Sequence, residues 1–378
     1  LKASTNHAAL HVDAWSMGRG RSRTPCRTTC DEATKEQCSE PLTEATEAAT
    51  TGFIATATGS TLDFEALSVS VVHAGWVEKA ACIFRQYRVL ILNGLFSAEV
   101  TNAVLEGLQE LHKKWSAKYD PDGHGNRLPG RYELMGAFDT WHLTHLPGYL
   151  QALEEFAQKG GLQLLDAIGN YKFVGGHAHL CLAGTSNWQP LHSDFVHPGP
   201  YETYPLWDHP EHVPFIDLLF TLHPLTSENG ALRVLPGVPP VEATYYQFNP
   251  GGTKPPSLQK EKEIYRRAGL FPLPAGCGIL RDLRIWHGGT PNTSHADRYT
   301  AVLRFYSCWS LDMWKGKVYE TKGVDPEEFQ KQLSHETQQV VSPHIVRGKE
   351  DPEPQLVDFE GWPLKYDGWA HAYDNSYF

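Results

Sequence analysis

Two histidines, one aspartate and one arginine in the second half of this 378-residue chain have the types and spacing of a metal site. Side chains two apart on a β-strand point to the same face, so His192 and Asp194 can reach one ion together. His287 supplies a second imidazole, and Arg298 follows it by eleven positions. Two histidines and a carboxylate leave positions open on the metal, as in non-haem Fe(II) oxygenases, and a guanidinium suits a carboxylate co-substrate. The pattern therefore predicts an oxygen-activating iron site.

The His-x-Asp spacing is not specific by itself, because it also occurs at residues 11–13 and 295–297 of a chain with 19 histidines. His11 lies in a biased segment without a strand pattern. His295 lies in a polar turn, too late in the chain to be followed by a matching histidine and arginine. The surroundings therefore favour His192 as the first ligand.

Three motifs within residues 171–309 resemble the phytanoyl-CoA dioxygenase-like branch of the Fe(II)/2-oxoglutarate-dependent oxygenases. They are residues 189–194 (QPLHSD), residues 226–237 (TSENGALRVLPG) and residues 287–298 (HGGTPNTSHADR). The resemblance implies that iron is bound by His192, Asp194 and His287, and that 2-oxoglutarate is bound by Arg298.

Three further positions bear on the co-substrate. Gln189 resembles an amide that contacts 2-oxoglutarate in some members of the family. The chain departs from part of the family at Gly289, where a serine often stands. The neighbouring hydroxyl of Thr290 is the expected replacement for that serine.

The resemblance also implies the reaction class. Fe(II), 2-oxoglutarate and O2 would oxidise a C–H bond of a small organic molecule, with release of succinate and CO2. Hydroxylation, desaturation and oxidative cyclisation all stay open, whereas halogenating relatives lack the carboxylate of Asp194. The alternative is a non-catalytic or cupin-like metal-binding jelly roll that does not use 2-oxoglutarate. Arg298 and Gln189 count against this alternative, because a redox-silent metal site needs neither.

Composition limits the partners and the compartment. The formal net charge is −11 and the pI is near 5.9, which disfavours nucleic acid, since phosphate binding needs a basic surface. No run approaches 18 consecutive apolar residues, so we expect no membrane span. Seven scattered cysteines do not suggest a disulfide framework and favour a reduced, intracellular compartment. The basic, hydroxyl-rich start leaves organelle targeting open.

The distribution of residue types along the chain predicts four segments. They are a flexible amino-terminal arm (1–60), a strand with bracing helices (61–170), a catalytic jelly-roll core (171–312), and a carboxy-terminal helical and aromatic extension (313–378). In the arm, Cys26, Cys30 and Cys38 could bind zinc, but free thiols are the simpler interpretation because no nearby histidine completes the ligand set.

Periodicity predicts the elements that hold the site. Order is expected from about Ile83, with a strand over residues 87–92 and a helix capped by Ser97. A second helical pattern falls within residues 150–168. Short strands follow at residues 215–222, 231–235, 278–286 and 299–309. We expect a mainly β fold with flanking helices, a double-stranded β-helix (jelly roll), in which residues 198–214 form a candidate lid.

The remaining polar residues of the core have less specific interpretations. His177 and His179 are two apart in a segment with a strand pattern, and His197 lies three positions after Asp194. Each could be a metal ligand, although histidines that pack in the core or support a ligand are commoner. Arg304 shares the strand parity of Arg298. It should therefore bind either a carboxylate of the substrate or a buried acid. The pair at residues 229–230 is expected to form a turn without chemistry, and Cys181 and Cys308 are expected to be buried.

Overall fold

The computed structural model describes residues 53–55, 61–120, 125, 129–134, 143–187, 189, 213–237, 269–313 and 326–341. The cysteine cluster of the predicted arm and His197 lie outside the described residues. So does the candidate lid, apart from its last two residues.

A seven-stranded sheet, here called the major sheet, forms the body of the described chain. Its strands are antiparallel except for one parallel pair at the edge. In spatial order they are β3 (Ser68–Ser70), β4 (Val89–Asn93), β10 (Gly278–Asp282), β7 (Phe215–Thr221), β12 (Arg298–Ser307), β6 (Tyr171–Cys181) and β5 (Arg131–Leu134).

A second, three-stranded sheet, the minor sheet, has the order β11 (His287–Gly289), β8 (Leu232–Val234) and β9 (Gly269–Phe271). A separate pair joins β1 (Phe53–Ala55) to β2 (Thr61–Asp63). From β7 onward the chain passes repeatedly between the two larger sheets, because β7, β10 and β12 belong to one and β8, β9 and β11 to the other. The predicted double-stranded β-helix is confirmed.

The predicted core strands agree with the structure to within a residue or two, with one exception. The strand expected over residues 278–286 ends at Asp282. There the carboxylate of Asp282 accepts a hydrogen bond from the backbone nitrogen of Arg284 at 2.9 Å and another from its guanidinium at 2.6 Å. This side-chain turn carries the chain across to the minor sheet, so His287 begins a different strand.

Helices precede and follow the sheet strands. They are α1 (Trp76–Tyr87), α2 (Ala98–Tyr119), α3 (Tyr149–Phe156), a π-helical turn (Ala157–Gly161), α4 (Leu162–Ile168), α5 (Cys308–Met313), α6 (Pro326–Gln332) and α7 (His335–Val340). The predicted cap of α2 is confirmed, because the Ser97 hydroxyl accepts from the backbone nitrogen of Val100 at 3.3 Å. None of the described helices is long and apolar enough to cross a bilayer.

Helix α1 was not expected, and order beginning near Ile83 is wrong. Buried Trp76, Ala80, Ile83 and Phe84 recur with helical spacing on one face. The helix ends where Arg88 adopts a left-handed conformation, with φ of 60°. The predicted strand over residues 87–92 therefore starts at Val89, after this turn.

The helices cover one face of the major sheet, here called the outer face. Phe305 of β12 packs against Phe156 of α3, with ring centroids 5.8 Å apart. Tyr132 of β5 lies 5.2 Å from Trp115 of α2 by the same measure. Cys181 is buried as expected, whereas Cys308 is only partly buried and donates to Oδ1 of Asn170 at 3.2 Å.

Alternate residues point to the opposite, inner face, toward the minor sheet. Arg304, on this face, meets Asp217 as its cross-strand partner and donates to both carboxylate oxygens, at 2.8 and 2.9 Å. Arg281 reaches the same carboxylate at 3.3 Å. Of the two roles predicted for Arg304, the structure supports pairing with a buried acid.

Replacing Asp217 with asparagine should destabilise the fold strongly. The change keeps the shape of the side chain but leaves Arg304 and Arg281 buried without their shared counter-charge, a loss of about 3–5 kcal/mol in free energy of unfolding. Urea unfolding followed by circular dichroism measures it. Glu110→Gln is the matched control, because its carboxylate is 57% exposed and pairs with Lys114 on a helix surface. We expect a change of no more than about 0.5 kcal/mol in the control. Equal unfolding midpoints for the two variants would contradict the prediction.

Candidate active site

His287 begins β11 and is buried between the two sheets. Its Nδ1 lies 3.1 Å from the carbonyl oxygen of Ile285, and Nη1 of Arg281 lies 2.8 Å from Nδ1 and 2.9 Å from Nε2. These contacts are compatible with either tautomer of the imidazole. Whichever ring nitrogen holds the lone pair, Arg281 and a metal ion are alternative partners for it.

The other two predicted metal ligands, His192 and Asp194, lie outside the described residues. Gln189, three positions before His192, is described and lies beside β11. Its backbone nitrogen donates to the carbonyl of Gly289 at 2.8 Å, and its Oε1 accepts from the backbone nitrogen of Gly289 at 3.0 Å. The structure therefore brings Gln189 next to the strand that His287 begins.

Arg298 is the first residue of β12 and is buried on the inner face. Its Nη1 donates to the carbonyl oxygen of Gly230. Among the described residues its Nε has no hydrogen-bond partner. A buried guanidinium with an unused donor is costly, so this position suits an anion brought in by a ligand.

Gly230 makes this position possible. A Cβ at Gly230 would lie 2.5 Å from Nη1 of Arg298 and 2.5 Å from the carbonyl oxygen of Pro291, and its φ is +94°. A side chain would therefore displace the guanidinium. The turn predicted at residues 229–230 is present, but its glycine also positions Arg298, a role that the sequence analysis did not assign.

Arg131, on the short strand β5, is a second buried cation that the sequence analysis missed. Cys181 is the cross-strand partner of both Arg131 and Arg298, so the two arginines flank it on neighbouring strands. Arg131 donates to Oδ1 of Asn187 at 2.8 Å and to the carbonyl oxygen of Thr290 at 2.5 Å. These acceptors are neutral, so they orient the guanidinium without balancing its charge.

Burial is the main cause of the pKa shifts of Arg131 and Arg298. Burial lowers the pKa of Arg131 to about 10; Cys181 acts against this shift and the charge of Arg298 adds to it. Burial also lowers the pKa of Arg298. The pKa of His223 is lowered by burial and then by the charge of Arg298. All three shifts disfavour positive charge, and an anion between the arginines would oppose them.

Gly289 is glycine because its neighbours fill the space of a side chain. A Cβ there would lie 2.7 Å from Nη1 of Arg131 and 3.2 Å from Oε1 of Gln189. The serine found here in part of the family would collide with Arg131. Thr290, the expected substitute, donates its hydroxyl proton to the carbonyl of Ala231 at 2.7 Å. Thr290 could donate to a co-substrate only by exchanging that hydrogen bond.

His177 and His179 lie with Glu133 in a cluster on the inner face. The potential ligand atoms of the three side chains all lie within 4.8 Å of one another. The two imidazole rings are perpendicular, with centroids 5.1 Å apart. The alternation of the histidines was visible in the sequence, but nothing there connected them to Glu133.

Residues 178–300 match the family model described as phytanoyl-CoA dioxygenase. Among solved structures, AviO1 from Streptomyces viridochromogenes Tue57 is 18% identical, with a TM-score of 0.40 over 60% of this chain and 92% of that one. HygX from Streptomyces hygroscopicus, with nickel, 2-oxoglutarate and hygromycin B bound, is 12% identical, with a TM-score of 0.40 over 60% and 86%. The epimerase SnoN from nogalamycin biosynthesis is 14% identical, with a TM-score of 0.37 over 61% and 80%. The match covers about a third of the chain, and it is to the family that the three sequence motifs resemble.

Proposed function

We propose that this oxygenase binds Fe(II) through His192, Asp194 and His287 and 2-oxoglutarate through Arg298, and oxidises a C–H bond of a small organic molecule. The outcome is hydroxylation, desaturation or oxidative cyclisation. The observation that carries the proposal is the buried pair of cations, Arg131 and Arg298, beside the strand of His287. A catalytically silent jelly roll gains nothing from two buried charges that have no counter-ion among the described residues, so this pair favours the oxygenase.

Chain connectivity supports the iron ligand set. Gln189 is hydrogen-bonded to Gly289, two positions after His287. Three residues span at most about 10 Å, so His192 cannot lie farther than that from Gln189 along the chain. Asp194 has the parity to share a face with His192 in an extended segment. The contact of Nδ1 of His287 with the carbonyl oxygen of Ile285 would orient the ring, and Nε2 would bind the metal in place of its present contact with Arg281.

Two arginines and an amide would hold the co-substrate. Guanidinium groups bind carboxylates through two parallel hydrogen bonds, and the unused Nε of Arg298 is suited to one of them. Arg131 would add charge from β5, on the other side of β6. Because Oε1 of Gln189 accepts from Gly289, the amide nitrogen of Gln189 is its donor toward a ligand oxygen. When bound, Fe(II) would activate O2 as the oxidant, and 2-oxoglutarate would be oxidised to succinate and CO2 as the co-substrate.

The protein would contribute placement and exclusion of water. Farther along β12 on the same inner face, Arg304 forms a buried ion pair with Asp217. Because Arg304 is matched there, it gives no reason to expect an anionic group on the substrate. We propose a small organic substrate without that requirement. The described cysteines are free thiols, which supports a reducing, intracellular compartment.

The first test is assembly of the site without oxygen. Anaerobic addition of Fe(II) and 2-oxoglutarate to the apo-protein should produce a weak visible charge-transfer band that needs both components. His287→Ala should abolish the band and the O2-dependent formation of succinate. The matched control is His335→Ala, an exposed histidine of α7, which should behave as the wild type. A wild-type protein that forms no band at saturating ligand would favour the cupin-like alternative.

The second test concerns the cation pair. Arg298→Lys and Arg131→Lys each replace a two-pronged donor with a point charge. Hydrogen bonds to charged groups contribute about 1.5–3 kcal/mol, so the apparent KM for 2-oxoglutarate should rise about tenfold or more in each variant. Arg85→Lys, on the exposed face of α1, is the control and should leave KM unchanged. An unchanged KM in Arg298→Lys would remove Arg298 from the co-substrate site. The same result in Arg131→Lys would limit Arg131 to a structural role.

A further inference from the structure

We infer that Glu133, His177 and His179 form a second metal site, which binds a divalent transition-metal ion with a preference for nitrogen and oxygen ligands, such as Zn²⁺ or Co²⁺. The site is separate from the proposed iron ligands and shares no residue with them. It goes beyond the proposed function, because Fe(II)/2-oxoglutarate chemistry requires no second ion.

The sheet register brings the three side chains together. His177 and His179 are two apart on β6 and therefore point to the same face. Glu133 of β5 is the direct cross-strand partner of His179. On the other side of β6, His179 pairs with Thr300 and His177 with Val302, and both partners share the parity of Arg298. The cluster consequently lies on the inner face, beside the candidate active site.

The backbone under the cluster is fixed from the outer face. The hydroxyl of Tyr149, a fully buried residue of α3, donates to the carbonyl oxygen of His177 at 2.8 Å. A Cβ at Gly176 would lie 2.6 Å from the Tyr149 ring, so the helix packs directly on the strand at this point. The backbone nitrogen of Leu143 donates to the carbonyl of Gly176 at 2.6 Å. Ligands on such a rigid strand need little reorganisation to bind an ion.

The donor set and its exposure indicate the kind of ion. Two imidazole nitrogens and a carboxylate oxygen are the ligands of many three-residue zinc sites, in which a fourth position is open. Bonds of about 2.0–2.2 Å place tetrahedral ligand atoms roughly 3.4 Å apart, and the atoms here already lie within 4.8 Å. Side-chain rotation is enough to close the difference. His177 is buried, whereas Glu133 and His179 are partly exposed, so the cluster is not sealed from solvent.

A cation at this position would lie near the guanidinium of Arg131, whose acceptors are neutral, so its charge has to be balanced by its own ligands. Arg304 and Arg281 are already neutralised in part by Asp217. The guanidinium of Arg131, two residues from Glu133, donates to Asn187 and Thr290. The carboxylate of Glu133 would balance one charge of the ion, and hydroxide or another anionic ligand at the open position would balance the other.

Metal stoichiometry tests the inference. Untagged full-length protein is dialysed to equilibrium against Co²⁺, and bound metal is measured by elemental analysis. Wild type should bind two ions per chain. His287→Ala should keep one, the double variant His177→Ala/His179→Ala should keep one, and the combination of all three changes should keep none. His335→Ala, which removes an exposed histidine, should keep both.

A milder variant identifies the ligands directly. In the His287→Ala background, Glu133→Gln keeps the side-chain shape but removes the carboxylate. It should shift or abolish the visible spectrum of the remaining Co²⁺ while the circular dichroism and the unfolding midpoint stay unchanged. This variant keeps the test valid if the double histidine variant fails to fold.

The possible failures are distinguishable. A single ion that is lost in His287→Ala and kept in His177→Ala/His179→Ala would overturn the second site and leave the proposed function intact. A single ion with the opposite behaviour would contradict His287 as an iron ligand and keep this cluster as a metal site. Two ions that persist in every variant of the cluster, with only turnover altered, would overturn the inference in favour of contact with the substrate.

Discussion

Buried positive charge on the inner face of the major sheet is the constraint on which the site depends. Arg131, Arg281, Arg298 and Arg304 are all nearly inaccessible to water. A charge in such surroundings is tolerated only with a partner. Asp217 forms ion pairs with Arg304 and Arg281, so these two arginines have a counter-charge within the fold. Within the described part of the chain, Arg131 and Arg298 instead have neutral acceptors, which is the reason for proposing a bound anion beside them.

This division of charges explains why two glycines are needed near the site. Side chains at Gly230 or Gly289 would occupy the space of Arg298 or Arg131. The sequence shows only a turn at the first position and a departure from the family at the second. In the structure each glycine leaves room for a guanidinium group, Gly230 for that of Arg298 and Gly289 for that of Arg131. At Gly289, the space that a serine side chain would need is taken by the guanidinium of Arg131 from another strand.

The parts of the fold that sequence predicts well are those with strong local periodicity. The parity of β12 placed Arg298 and Arg304 on one face, and the Ser97 cap fixed the start of α2. The end of β10 was missed because it depends on the side chain of Asp282 folding back on its own backbone. The sequence could not indicate that Asp217 is the partner of Arg304, because this pairing depends on the register between β7 and β12.

The same limit accounts for the two site residues that were missed, and both come from β5. Within the described chain, this four-residue strand lies at the edge of the major sheet and pairs with β6. Such a short segment has no measurable period, and it lies more than fifty residues before the first motif of the family. The side chains of β5 nevertheless alternate between the two faces of the sheet. Tyr132 packs on Trp115 of α2 at the outer face, whereas Arg131 and Glu133 point to the inner face. Packing on α2 sets which residues face the cavity. A shift of one residue in the pairing of β5 would therefore remove both the second cation and the carboxylate of the cluster.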